Sequence, residues 1–334
     1  MSTKKNSPNR DLDAFDKVGK TSFGDCELDE NSQRLFIVNT FQNSIIDYDV
    51  SAGTTDILNY STAQLGSKIK HYPLSGIPGI PSCTGGTLRP FAMKIYRVKG
   101  YLGCTCDASS SQNESDLTGY ILQFDINNAG GGFTNVLTLS NFTYRNSDAQ
   151  VKWYPWVSNW AQTGLPTSGA LYFYNQPLIN DIEFDERGGM IINILTRWGH
   201  QVGHQNMVAS SGVSDGMEGG AYGDILYACY NESSDNWTIE GSGSCAINHT
   251  SDVSGLKHKT ISYSGLGSYF DDRSGDLRPE NGMGGLVNLK GSQRVVNPVV
   301  DPFPESAGYS NDWIYTGGLH WYRTLETAGS PNGG

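Results

Sequence analysis

No stretch of the sequence approaches the roughly 20 consecutive apolar residues of a membrane-spanning helix, so membrane insertion is not expected. Helical periodicity is equally scarce. No amphipathic run of ten residues or more is found, and the best short helical turn lies near residues 61–70. Positive charge is also in short supply: 23 Lys and Arg against 34 Asp and Glu give a net charge of −11. That balance argues against a nucleic-acid partner, whose phosphate backbone needs a concentrated positive surface. Signatures of catalysis are missing too. No Gly-x-Ser-x-Gly elbow precedes a helix, and Gly241-Ser242-Gly243-Ser244-Cys245 reads as a loop. The glycines of residues 212–223 lack the lysine of a phosphate-binding loop. Residues 1–10 are polar and basic, without the apolar centre of a signal peptide.

What is present is β-like: 41 Gly, 18 Tyr and 7 Trp, with apolar residues alternating rather than recurring every third or fourth position. One stretch is used twice. Residues 24–39 begin Gly24-Asp25-Cys26-Glu27-Leu28-Asp29-Glu30, and residues 180–195 begin Asn180-Asp181-Ile182-Glu183-Phe184-Asp185-Glu186. Four acids fall at one constant offset, and each copy turns at a polar or glycine-rich segment before entering an apolar strand. Period two followed by such a break reads as a hairpin. A hairpin repeated far apart in an all-β chain points to radial repetition, of which the β-propeller is the common form.

Four meanders are legible, over residues 24–50, 90–125, 180–240 and 284–323. The length then fits six or seven four-stranded blades with long loops, at roughly 40–50 residues each. Residues 1–22 read as a polar lead-in, 23–327 as a single propeller domain and 328–334 as a linker. The ends look like cuts through linkers of a longer chain. In the second meander the turn is placed at Lys99-Gly100.

Six cysteines do not fix their own pairing. Cys229 and Cys245 flank a polar hairpin tip and are the first expected disulfide. Cys83 with Cys104, or else with Cys106, is the second. Cys26 reads as a buried free thiol on the apolar side of its strand.

Three constellations could carry function. Strand alternation puts Asp25, Glu27 and Asp29 on one face and Cys26 and Leu28 on the other. Asp25, Glu27, Asp181 and Glu183 at a channel mouth would offer hard oxygen ligands to Ca²⁺. The competing reading has these acids capping turns and accepting backbone N–H groups. Trp153, Trp156 and Trp160 around Pro155 form either a packed plug between blades or a platform on which a ligand stacks. Arg197 and His200, joined by His320, could complete a ligand site, with Arg197 holding either a ligand's carboxylate in two bonds or one of the repeat's own acids. His200 and His204 lack the glutamate of the zinc-protease motif, and the glycines at 199 and 203 favour a loop over a helix.

Several stretches come in an order that resembles one family. They are Gly24-Asp25-Cys26-Glu27-Leu28, Arg89-Pro90-Phe91-Ala92-Met93-Lys94, Trp153-Tyr154-Pro155-Trp156, Asn180 through Asp185, Arg197-Trp198-Gly199-His200-Gln201, Gly223-Asp224-Ile225-Leu226 and Gly317-Gly318-Leu319-His320-Trp321. The chain is similar in this to the propeller-like N-terminal region of large secreted bacterial cell-surface proteins of the adhesin type. The resemblance implies a secreted or cell-surface location, a glycan or protein ligand, and further modules downstream. It brings no enzymatic activity. Two other expectations stand beside a non-enzymatic surface module: a propeller hydrolase or lyase using a channel-mouth metal, and a subunit of a surface filament or sheath.

Overall fold

A computed structural model of the chain describes residues 11–31, 33–51, 61–140, 142, 152–168, 171–203, 206–210, 216–245, 284–300 and 317–324. The protein is all-β, built of several sheets that are mostly antiparallel, with three short α-helices among the described residues. The first sheet is a meander of β1 (Phe23–Leu28), β2 (Arg34–Asn39), β3 (Ser44–Asp49) and β4 (Ile69–Pro73). The second repeats it with β5 (Leu88–Tyr96), β6 (Lys99–Cys106), β7 (Thr118–Asp125) and β8 (Phe133–Ser140). After β9 (Leu171–Phe173), the third sheet opens with β10 (Pro177–Phe184) and β11 (Met190–Thr196). Two short strands, β12 (Asn206–Met207) and β13 (Gly216–Gly220), then pair into a small side sheet with β9. The third sheet is completed by β14 (Asp224–Asn231) and β15 (Asn236–Ile239). The fourth comprises β16 (Val287–Leu289), β17 (Arg294–Val300) and β18 (Gly317–Arg323). All four expected meanders are therefore sheets.

The sheets stack face to face in chain order, and the inner strands of the second and third, such as β6 and β11, are buried on both faces. Along β6, Tyr101 faces the third sheet while Leu102 and Cys104 face the first. Along β11, Met190, Ile192 and Ile194 pack toward the second sheet, and Ile191 toward the fourth. Three cores result. Phe36, Val38 and Ile45 meet Met93, Leu102 and Phe124 between the first and second sheets. Ile121 and Leu139 meet Ile179, Ile182 and Leu226 between the second and third. Ile225 and Tyr227 meet Leu286 and Val295 between the third and fourth. Each fully buried side chain of this kind contributes roughly 1.5–3 kcal/mol.

Several expectations are corrected by this architecture. Residues 11–22 are not a free lead-in. They hold helix α1 (Leu12–Lys17), capped by Asp11, whose Phe15 is buried edge-on against Trp160 and Trp198. The short turn expected near 61–70 is α2 (Thr62–Lys68). His200 lies on a one-turn helix, α3 (Trp198–Val202), rather than in a loop; Gly199 is inside that turn and Gly203 ends it. The β5–β6 turn is made by Arg97 and Val98, both at positive φ, and not by Lys99-Gly100. His204, residues 1–10 and the expected linker at 328–334 lie outside the described residues.

The disulfides are Cys229–Cys245, as expected, and Cys83–Cys106. Cys104 is instead a free thiol with no exposure, and Cys26 is free but exposed rather than buried. Register explains the choice. Cys106 ends β6 opposite Leu88, close to the segment carrying Cys83, whereas Cys104 lies mid-strand opposite Pro90. Each bridge stabilises by about 3 kcal/mol through the loop it closes. A thiol reagent is expected to label Cys26 alone in the native protein and Cys104 only after unfolding. Peptide mapping checks this, and native labelling of Cys104 would contradict its place in the core.

Candidate functional site

The first strands β1, β5 and β10 pack against one another and gather the repeated acids. All three contain a register shift, between Phe23 and Cys26, Pro90 and Ala92, and Ile179 and Asp181. Such bulges bend a strand and re-aim its side chains. Close approach of β1 to β5 also needs Gly24, where a Cβ would lie 2.7 Å from the Phe91 carbonyl oxygen.

Each acid of the Asp-x-Glu-x-Asp repeat does the same job in both copies. The first is a staple between sheets. Asp25 accepts the Cys26 amide at 2.8 Å on one oxygen and the Met93 amide of β5 at 3.0 Å on the other. Asp181 accepts the Ile182 amide at 2.7 Å and the Leu286 amide, just before β16, at 2.5 Å. The second acid is an ion-pair partner. Glu27 and Glu183 both reach Lys94 of β5, whose Nζ donates to each at 2.9 Å. The third closes its hairpin. Asp29 accepts the Gln33 and Arg34 amides, and Asp185 accepts the Arg187 and Gly189 amides and the Tyr227 hydroxyl.

The faces of β1 are thus the reverse of the expected ones: the acids turn toward neighbouring strands, and Cys26 and Leu28 turn outward. The expected Ca²⁺ ligands do not form an oxygen cage. The Lys94 ammonium sits between Glu27 and Glu183, and both oxygens of Asp25 and of Asp181 accept amides. Among the described residues no group of three or more His, Cys, Asp and Glu is arranged to hold a metal. Lys94 was missed in the sequence, although it is a single cation in an otherwise apolar stretch, Phe91-Ala92-Met93-Lys94-Ile95.

The expected ligand contacts also separate. Trp153 and Trp156 are fully buried, so they are packing and not a solvent-facing platform. Arg197 has no exposure; its guanidinium lies 4.3 Å over the Trp156 ring and donates to the chain itself. It is therefore unavailable to hold a ligand's carboxylate. His200 is exposed on α3. His320 pairs with Asn297 in the fourth sheet, and its side chain lies outside the described residues.

No family model matches the chain, and no curated protein matches it.

Burial dominates the electrostatics of the acid centre. It pushes the Asp25 carboxyl up to about 6, against the pull of the Met93 and Cys26 amides. Asp181 is pushed up to about 8, by burial first and by the charge of Asp25 second. Burial also raises Glu183, with Lys94 pulling it back. Burial alone would lower Lys94, but the charges and hydrogen bonds of Glu183 and Glu27 outweigh it and hold the ammonium above the usual lysine range. Asp25 and Asp181 thus keep their protons to higher pH in the native chain than at the ordinary carboxylate value of 3.8. Their stabilising contribution is fully present below that value and is lost as pH rises through about 6 and then about 8. Urea unfolding should show stability falling by about 5 kcal/mol between about pH 5 and pH 9, most of it from Asp181. Asp181→Asn is expected to remove the upper part of that decline; an unchanged profile would contradict the assignment.

Proposed function

We propose that the chain is an extracellular, non-enzymatic β-propeller serving as a binding or structural module of a bacterial surface protein. The ring of six or seven blades extends the stacking of four sheets in chain order, with their first strands on the inside. Two disulfides fit an oxidising, extracellular compartment. Among the described residues no helix is long and apolar enough to cross a membrane. One observation carries the non-enzymatic part: Lys94 sits between Glu27 and Glu183, and Asp25 and Asp181 spend both oxygens on backbone amides that join neighbouring strands rather than facing a common ion. A surface module needs a rigid frame, and a lysine-clamped centre joining three sheets provides one.

The competing reading, a hydrolase or lyase with a channel-mouth metal, draws support from the raised carboxyls of Asp25 and Asp181, the charge of the first acting on the second, since perturbed carboxyls cluster at active sites. A calcium titration followed by thermal unfolding separates the two. The surface-module reading expects the midpoint to stay within about 1 °C at millimolar Ca²⁺. A ligand present at about 100 times its Kd would stabilise by roughly 2.7 kcal/mol, a shift of several degrees. Such a rise, abolished by Asp181→Asn, would favour the metal site.

A further inference from the structure

A cleft of about 190 Å³ opens between the second and third sheets, at the end where their hairpins turn. Its walls differ in character. One is the β5–β6 turn, which presents Arg97 and Lys99; both are exposed, and among the described residues neither pairs with a carboxylate. Arg97 sits 4.9 Å over the Tyr96 ring, which stacks flat on Phe184 at 4.2 Å. The opposite wall is the β14–β15 turn. There Tyr230 donates to one oxygen of Asp235 at 2.9 Å, and Tyr230 and Trp237 supply ring surface. Between them lie Tyr101 and the Gln123 amide, hydrogen-bonded to each other at 3.1 Å.

The β5–β6 turn that forms one wall of this cleft is strained. Arg97 and Val98 have φ of 50° and 58°, whereas Asp235 at 49° is a residue that accepts this conformation. A β-branched residue is strongly disfavoured in the left-handed region, and two-residue hairpin turns of this kind select Asn and Gly. The Val98 side chain is 57% exposed, so packing does not compensate for its conformation. Backbone strain of this kind clusters at functional sites.

We propose that this cleft binds one sugar ring bearing a carboxylate, a uronic acid unit. The carboxylate meets Arg97 and Lys99, the ring's C–H face lies on Tyr230 and the edge of Trp237, and hydroxyls donate to Asp235 and bond to the Tyr101–Gln123 pair. Its volume is below the roughly 300–1,000 Å³ of sites for drug-sized ligands, which suits a single ring rather than an extended chain. Acceptors on one wall and cations on the other match a ligand that is anionic at one edge and rich in hydroxyls at the other. This deepens the surface-module reading and rests on it for the source of the sugar.

The test is saturation-transfer NMR and calorimetry with the methyl glycosides of glucuronic and galacturonic acid. Methyl glucoside and cyclohexanecarboxylate are the controls. At least one uronide is expected to bind, at least about tenfold more tightly than either control. Arg97→Ala with Lys99→Ala should weaken it at least about tenfold and leave the thermal midpoint unchanged, since both side chains are exposed. Equal binding of the glucoside would remove the role of the cations, and equal binding of cyclohexanecarboxylate the role of the hydroxyl contacts. Either result, or no uronide binding at all, overturns the proposal. Uronide binding unaffected by the double variant would place the sugar elsewhere and overturn this site while leaving the surface-module reading intact.

Discussion

Arg197→Met is expected to cost about 3–5 kcal/mol of unfolding free energy, the largest loss from any single substitution considered. The guanidinium is fully buried and touches no carboxylate. Nε donates to the Val18 carbonyl at 3.0 Å, Nη1 to the Val157 carbonyl and to Gln176 Oε1, and Nη2 to the Asp16 carbonyl. The Trp156 ring covers its face. Burial pulls its pKa down to about 9, so the charge survives at neutral pH and is held by carbonyl dipoles and ring quadrupole. Methionine fills part of the volume but takes the guanidinium donor from three main-chain carbonyls, each costing about 1–3 kcal/mol, while Gln176 Oε1 keeps the Val157 amide. It also cuts the link from the α1 segment to the third sheet. Arg197→Lys should fall between the two, because an ammonium keeps the charge but cannot form the planar fork. Urea denaturation measures all three proteins. A loss below about 1 kcal/mol for the methionine variant would mean that the network holds nothing together.

Lys94→Met should cost about 3 kcal/mol at neutral pH. Its ammonium is the counter-charge shared by Glu27 and Glu183, and both carboxylates would be left facing each other across the joined strands. The variant also removes a cation that lowers the Asp25 pKa, so stability should fall more steeply above about pH 6 than in the parent protein. Denaturation midpoints at several pH values read both effects. A variant as stable as the parent at pH 7 would mean that the acids are solvated or hold a different cation.

Much of this frame was legible in the sequence because strand periodicity is local. The twin acid-rich stretches are hairpins that open the first and third sheets, and the alternative reading of the acids, as turn caps and amide acceptors, describes Asp29, Asp185, Asp25 and Asp181 well. What failed depends on partners distant in sequence. Alternation separates the faces of β1 but cannot say which one meets β5; Lys94, a long way along the chain, decides that. Of the two readings of the tryptophans, packing holds and the ligand platform does not, and the groups that cover Trp160, Phe15 and Trp198, come from elsewhere in the chain. Lys99-Gly100 carries the stronger turn signal, yet the backbone turns one pair earlier, at residues whose conformation runs against their type. Phe15, a single aromatic in a polar stretch, gave no periodic sign of α1.

A double-mutant cycle decides whether a shared lysine clamps the two copies of the repeat. Lys94→Met, Glu183→Gln and the double variant would be compared with the parent by urea unfolding at pH 7. Coupling of at least about 1 kcal/mol is expected, with the double variant more stable than Lys94→Met alone because no unpaired charge remains at Glu183. Additive losses, within about 0.5 kcal/mol, would contradict the clamp.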